Sequence, residues 1–168
     1  MAGGWAAEDL FFSVRGLRLP IGLVLDEVEV TGSGVTVETE PFSVKLGAGA
    51  CAKVRVSCDS IRDFLTSRDL GGLREIAVAA ENGLLKVSGT AVVLIPIRAS
   101  AYCSLEVRDG RMLDIVLQSA DPAPARTLIE RQLSGINPVL DLSVSFPDIA
   151  ITSVEVADGW VVLHGRST

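Results

Sequence analysis

The stretch that decides the fold is residues 141–165, DLSVSFPDIAITSVEVADGWVVLHG. A break at Phe146-Pro147 leads into two segments whose apolar and polar residues alternate, and Asp158-Gly159 separates these segments. Alternation with a period of two predicts strands, and an Asp-Gly pair between two strands predicts a tight hairpin turn. The stretch therefore predicts a β-rich scaffold, and its residues do not indicate a particular reaction.

The same alternation recurs through most of the chain upstream of this stretch. It predicts an opening meander of strands from Val24 to Val56 and two later hairpins. Residues that favour turns separate these strands. The predicted turns or bulges are residues 31–34, 40–41, 47–49, 82–83 and 109–110.

Two segments have the apolar spacing of amphipathic helices. The first is predicted to begin after Ser57, as N-cap, and to end at Gly71-Gly72. The second is predicted to begin with Asp121 as N-cap and Pro122 at its first position, and to end between Gly135 and Pro138. Their apolar faces are Ile61, Phe64 and Leu65 in the first helix, and Leu128, Ile129, Leu133 and Ile136 in the second.

With only two helices among hairpin-connected strands, the chain is predicted to be α+β. We expect a curled, mainly antiparallel sheet of about eight or more strands wrapped against the two amphipathic helices. A length of 168 residues predicts one domain over 1–168, with residues 1–15 as a loosely ordered N-terminal segment. A strand group followed by a helix occurs twice, which suggests a pseudo-repeat.

Composition narrows the class of protein further. Hydrophobic residues make up 48% and aromatic residues 5%, and mean hydropathy is +0.42, so either the core is large or apolar surface is left as a groove, membrane-facing edge or interface. The net charge of −6 and the absence of a Lys/Arg cluster argue against a nucleic-acid partner.

The chain gives no sign of crossing a membrane. Its longest apolar run, Ala91–Ile97, is far shorter than the roughly 20 residues that a spanning helix needs. The start, MAGGWAAEDLFF, lacks a basic segment before an apolar one, so no secretory signal is predicted. We expect a location in the cytoplasm or peripheral to the inner membrane, or in the cell envelope if a signal has been removed.

No group of side chains predicts catalysis. His164 is the only histidine, and no G-x-S-x-G elbow occurs. Cys51, Cys58 and Cys103 have no C-x-x-C spacing, so neither a disulfide framework nor a zinc site is predicted, and Cys103 fits a small core residue. We predict no catalytic residue, no metal and no cofactor.

The polar residues of the deciding stretch also fit a structural role. Uninterrupted alternation places Ser153 and Glu155 on the face of Ile149 and Ile151. In that position they set register rather than perform chemistry.

Arginines flank the apolar faces of both helices. Arg62 lies on the first helix, and Arg126 and Arg131 lie on the second. They are either plain solvated charge or contacts to anionic lipid head groups. In the second case the acyl chains would meet Ile61, Phe64, Leu65, Leu128, Ile129 and Leu133.

Residues 146–165, FPDIAITSVEVADGWVVLHG, resemble the C-terminal pattern of the LmeA-like phospholipid-binding family of bacteria. The agreement extends upstream to residues 54–57, 107–110 and 137–142. The resemblance implies a non-enzymatic lipid-binding module, similar to tubular lipid-binding domains in which a curled antiparallel sheet wraps a helix and leaves an apolar channel. Family members often carry an N-terminal signal or anchor, from which the start of this chain departs.

Two hypotheses follow for function. In the first, the protein binds lipid or phospholipid acyl chains in an apolar groove between sheet and helices, with a membrane surface as its partner. In the second, it is a structural or adaptor domain whose apolar surface forms a homodimer or binds another protein. The second hypothesis predicts a dry, fully packed core.

Overall fold

The computed structural model describes residues 4–39, 42–70, 72–92, 95–143 and 148–168. In these ranges the chain forms eleven strands and two helices. The strands are β1 (Gly4–Arg18), β2 (Val24–Thr39), β3 (Phe42–Lys45), β4 (Cys51–Ser57), β5 (Leu73–Glu81), β6 (Leu84–Val92), β7 (Pro96–Arg108), β8 (Met112–Asp121), β9 (Leu140–Asp141), β10 (Ile149–Ala157) and β11 (Trp160–Ser167). The helices are α1 (Cys58–Thr66) and α2 (Ala125–Ile136).

The strands form two sheets rather than the single sheet that we expected. Sheet 1 has the order β1-β2-β4-β11-β10, with β3 paired to β2, and sheet 2 has the order β5-β6-β7-β8-β9. Every strand pair in both sheets is antiparallel. The predicted α+β class with antiparallel pairing is therefore confirmed.

Three hairpin turns were predictable from their residue pairs. Asn82-Gly83, Asp109-Gly110 and Asp158-Gly159 each have positive φ at both positions, between 52° and 77° for the first two pairs and 52° and 79° for the third. This geometry matches the right-handed twist of the flanking strands, and Asn-Gly and Asp-Gly adopt it at low cost. These turns set the registers of β5–β6, β7–β8 and β10–β11 next to the turn, and each pair shifts its register once farther along the strands.

The N-terminal segment differs from the expectation of loose order. From Gly4 onward, residues of the expected loose segment 1–15 belong to β1, which pairs with β2 from Gly4↔Glu38 to Arg18↔Val24. Long-range pairing with β2 supplies the order, and local sequence signals do not reveal such pairing.

The glycines at 31–34 do not form the predicted turn, because β2 runs through them. Gly32 is needed for close packing: a Cβ there would lie 2.6 Å from Ala50 Cβ. Gly34 has φ +67° within the strand. The turn predicted at residues 40–41 lies outside the described residues.

Helix α1 begins where the sequence predicts. Ser57 is the N-cap, and its Oγ accepts a hydrogen bond from Ser60 N at 3.0 Å. The Asp26 carboxylate on β2 accepts from Ser57 N at 2.7 Å and from Ser60 Oγ at 3.1 Å. The helix ends at Thr66, before the predicted Gly71-Gly72. Asp26 thus ties the start of α1 to sheet 1.

Helix α2 begins later than predicted. Asp121 is the last residue of β8 and pairs with Ser100 on β7, so it does not act as the N-cap. The helix begins at Ala125 after Pro124, which provides no side-chain cap. At the other end, Asn137 Nδ2 donates to Ile115 O at 2.8 Å, and Ile115 N donates to Asn137 Oδ1 at 2.9 Å. The Asn137 amide therefore pairs with β8 as a neighbouring strand would.

The deciding stretch forms its hairpin, with one correction. A β-bulge lies between Ile151 and Ser153, so Ile149 and Ile151 are buried while Ser153 and Glu155 are exposed. A bulge adds one residue to the strand and reverses the faces beyond it, which alternation alone does not predict. The expected strand 140–146 is described only as β9, and residues 144–147, including Phe146-Pro147, lie outside the described residues.

The core lies between the two sheets and α1. One buried cluster joins Val28 and Val156 of sheet 1, Leu85 of sheet 2, and Phe64 and Leu65 of α1. Helix α1 packs against β2, β4 and β5. Helix α2 packs mainly against one strand, β8. None of the residues of α2 is fully buried. The second helix is therefore a lightly packed cover on sheet 2.

Candidate apolar ligand cavity

An apolar cavity of about 110 Å³ lies under α2. Its walls are α2, one face of α1 and the inner face of β6 and β7. From the strands come Leu85 and Val87 on β6 and Ala99, Ala101 and Cys103 on β7. The small side chains of β7 leave room that larger residues would fill.

Five of the six predicted ligand-contact residues line this one cavity. They are Ile61, Leu65, Leu128, Ile129 and Leu133. The sixth, Phe64, points elsewhere and lines a second apolar cavity of about 50 Å³ between the sheets. Because Ile61, Leu65, Leu85 and Ile115 line both cavities, the two spaces are neighbours separated by single side chains.

The side chains that line the cavity are almost all apolar. Its polar side chains are Ser88, Ser100 and Gln132, and no polar or charged residue is fully buried in the described ranges. Burial raises the pKa of the Cys103 thiol to about 11, so this thiol stays protonated and is a poor nucleophile at neutral pH. The cavity is suited to holding an apolar group.

The cavity opens to solvent beside Leu128. This residue lines the cavity and is also 42% exposed, which places it at the mouth. Beside Ala99 and Ser100 the cavity adjoins a polar pocket whose lining includes Arg98 and Asp121. An apolar molecule would thus meet Leu128 at one opening and polar groups at the other.

The three predicted head-group arginines differ in how their charges are compensated. Arg62 donates to Asp59 at 2.6 Å and Asp63 at 2.9 Å, and its hydrogen bond to Asp63 and the charges of both carboxylates raise its pKa. Arg126 pairs with Glu130 at 2.8 Å. Arg131 is exposed and makes no ion pair with any described residue. Of the three, Arg131 has the charge most available to an external anion.

The sequence analysis did not predict the strand residues that form the floor of the cavity, because they look like ordinary residues of a sheet. A signal for it exists in the small side chains Ala99, Ala101 and Cys103 at alternate positions of β7. Only the packing of α2 over β8 turns that row into a cavity wall. Cys103, expected as a small core residue, is buried and also lines the cavity.

Together these features define a class: an α+β domain of two antiparallel sheets with an apolar cavity beneath a helix. Comparisons with protein-family models, with curated proteins and with solved structures find no match to the chain. Neither helix among the described residues is long and apolar enough to cross a membrane. The described residues also contain no group of three or more His, Cys, Asp or Glu suited to a metal ion.

Proposed function

We propose that the protein binds the acyl chain of a lipid in the cavity between α2, α1 and sheet 2. The observation that carries this proposal is the convergence of the apolar faces of both helices on one cavity that opens beside the exposed Leu128. Binding would draw on burial of apolar surface, worth about 25 cal/mol per Å² removed from water. No covalent step is part of the proposal.

The size of the cavity makes movement of α2 part of the proposal. A volume of about 110 Å³ is smaller than the roughly 300–1,000 Å³ of ordinary ligand pockets, and below an engineered cavity of about 150 Å³ that holds benzene. A complete acyl chain therefore enters only when α2 moves away from β8. Helix α2 has no fully buried residue, which keeps the cost of such movement low.

The resemblance of residues 146–165 to the LmeA-like phospholipid-binding family supports the same proposal, and membership of that family is itself proposed. We place the protein in the cytoplasm or at the surface of the inner membrane, with the cell envelope as the alternative if a signal precedes the mature chain. Arg131 is the candidate contact for an anionic head group, with Arg62 and Arg126 as weaker candidates because carboxylates already neutralise them.

Organic extraction of the purified protein followed by mass spectrometry tests the proposal. We expect co-purifying lipid, and association with liposomes in a flotation assay. A matched pair of variants locates the lipid: Ala101→Leu fills the cavity, whereas Ala77→Leu changes an exposed alanine on β5. Three added carbon atoms displace about as many ligand methylenes, at about 0.8 kcal/mol each, so Ala101→Leu lowers the bound lipid about tenfold or more.

Ala77→Leu keeps the wild-type lipid content. Absence of extracted lipid together with absence of liposome association contradicts the proposal. Equal lipid content in both variants contradicts the location in the cavity.

A second candidate function is that of a structural or adaptor domain, and exposed apolar residues favour it. Phe11 is 69% exposed and Phe12 is 47% exposed, both on β1. This function requires neither a ligand in the cavity nor movement of α2, and the cavity under α2 departs from the fully packed core that this hypothesis predicts. A protein that yields no lipid but associates through these residues would support it.

A further inference from the structure

Strand β1 leaves one long edge of sheet 1 unpaired. Within the described ranges β1 pairs only with β2, through thirteen of its fifteen residues and in one constant register. Natural edge strands are commonly short, or carry Pro or charges that prevent pairing with other chains. The centre of β1, Leu10–Val14 with the sequence LFFSV, has none of these features. A protein with such an edge gains stability when another strand covers it.

The apolar exposure of β1 is concentrated at the centre of this edge. Phe11 and Phe12 are neighbours on a strand, so their side chains point to opposite faces of sheet 1. Both are nevertheless exposed. A strand added beside β1 would extend both faces of the sheet and cover part of both rings.

The sequence of β1 is complementary to itself. In an antiparallel two-fold pairing centred on Phe12, each Leu10 lies opposite the Val14 of the other copy. The same register places each Asp9 opposite the Arg15 of the other copy. Asp9 is exposed, and the Arg15 side chain is 83% exposed although its Nη2 lies 3.5 Å from Glu27 Oε1 on β2, so both are accessible to a second chain. Cross-strand pairs of opposite charge are stabilising, and two-fold symmetry makes each pair occur twice.

We infer that β1 is a homodimer interface, in which two copies pair through their β1 edges in antiparallel register centred on Phe12. The pairing joins the two copies of sheet 1 into one continuous sheet. Main-chain hydrogen bonds supply affinity, and the Asp9–Arg15 pairs select the register. The inference rests on sheet 1 alone and does not require a ligand in the cavity under α2.

A charge exchange tests the register. We expect the wild type to dimerise with rising concentration in sedimentation equilibrium. Asp9→Arg or Arg15→Asp alone replaces two attractive pairs by two repulsive ones and raises the dimer Kd about tenfold. Arg15 also pairs with Glu27 inside each monomer, so all variants are compared in a Glu27→Gln background. In that background the double variant Asp9→Arg/Arg15→Asp restores both pairs between the copies and returns the Kd to within about twofold of the value for Glu27→Gln alone. Circular dichroism of each variant checks that the monomer is folded.

Cross-linking gives an independent test, with Cys51→Ser as background because Cys51 is an exposed thiol. In the inferred register Phe12 lies opposite its own copy, whereas Ser13 lies opposite Phe11. We therefore expect Phe12→Cys to form a disulfide-linked dimer under mild oxidation and Ser13→Cys to form little.

Three results would overturn the inference. The first is a wild type that stays monomeric at all accessible concentrations. The second is a double charge variant that dimerises no better than the single variants. The third is vesicle binding by monomers that is lost in Phe11→Ser, which would assign the edge to a membrane instead.

Discussion

At the scale of single residues, Gly32 shows how one position fixes the approach of two segments. A Cβ at Gly32 would lie 2.6 Å from Ala50 Cβ and 3.1 Å from Ala50 Cα. The contact is with backbone as well as side chain, so relief requires movement of the chain. Gly32 is thus required for packing in the middle of β2, whereas the sequence pattern suggests a turn there.

Gly32→Ala is expected to lower the free energy of unfolding by about 1–3 kcal/mol, through overpacking against Ala50. Gly135→Ala is the matched control, because a Cβ at Gly135 meets no atom within 4 Å. Gly135 lies in α2, where replacement of Gly by Ala stabilises by up to about 1 kcal/mol. Urea denaturation measures both changes, and a loss of stability in both variants would contradict this account.

Burial of the Cys103 thiol makes the free energy of unfolding depend on pH. Burial raises its pKa from 9.0 to about 11, so the folded protein keeps this proton over a range where the unfolded chain releases it. The unfolded state then binds fewer protons, and stability falls as pH rises from about 9 to about 11. Two pKa units correspond to at most about 3 kcal/mol.

Cys103→Ala is expected to flatten this part of the profile of unfolding free energy against pH. Cys51→Ala, at an exposed position, serves as the control and keeps the decline. Chemical denaturation at a series of pH values provides the measurement. An unchanged slope in Cys103→Ala would show that other groups cause the decline.

At the scale of elements, the two helices have different attachments to the sheets. Three residues of α1 are buried, namely Cys58, Phe64 and Leu65, and Asp26 holds its first turn. Helix α2 has no fully buried residue and no side-chain cap at its start. Local stability follows buried apolar contact, so α2 should open at lower free energy than α1.

Native-state hydrogen exchange is expected to show faster exchange of the α2 amides than of the α1 amides. Addition of a lipid that binds the cavity should slow exchange in α2 more than in α1. Mass spectrometry of peptides covering residues 58–66 and 125–136 resolves the two helices. Equal protection of the helices without lipid would contradict a mobile cover.

Elements with local signals were predictable, and elements that depend on distant partners were not. Asn82-Gly83 accepts positive φ, and the Ser57 side chain caps the helix three residues away, so the turn and the helix start follow from the local sequence. Asp121 has the residue type of an N-cap, but pairing with Ser100 retains it in β8. The bulge after Ile151 likewise depends on the partner strand β11.

The residues of the candidate site also fall into a group that the sequence predicts and a group that it does not. Apolar residues recur at helical spacing in both helices, so the sequence predicts that Ile61, Leu65 and Leu133 contact a ligand. Ala99 and Ala101 belong to a row of small residues on β7, but such a row becomes a cavity wall only when a helix covers it, and the sequence does not show that cover. The separation into two sheets was also unpredictable, since alternation marks strands but not which strands pair.

At the scale of the whole molecule, one core joins the two sheets. Buried residues of sheet 1, of sheet 2 and of α1 contact one another in a single cluster, and a second cluster joins Leu113 of β8 to Ile151 and Leu163 of sheet 1. A third, smaller cluster of Ala101, Cys103 and Leu117 lies on sheet 2 alone, beneath α2. The two larger clusters each include residues of both sheets. The two sheets are expected to unfold together.

Unfolding is expected to be a single cooperative transition. Tryptophan fluorescence reports sheet 1, since Trp160 lies on β11, and second-derivative absorbance of Tyr102, the one tyrosine of the sequence, reports sheet 2 because Tyr102 lies on β7. The two signals should share one midpoint in urea, as two-state behaviour requires. Separate midpoints would show that each sheet unfolds as its own unit.

The pairing of Asn137 with β8 has a consequence for how the proposed cover would move. Two hydrogen bonds to Ile115 anchor the chain directly after the last turn of α2, while the first turn follows the uncapped Pro124. The start of the helix has no such side-chain contact, and only residues 122–124 connect it to Asp121 at the end of β8. The helix would therefore pivot at Asn137 and lift at Ala125 as far as this short connection extends, so the gap widens beside Leu128, where the cavity already meets solvent.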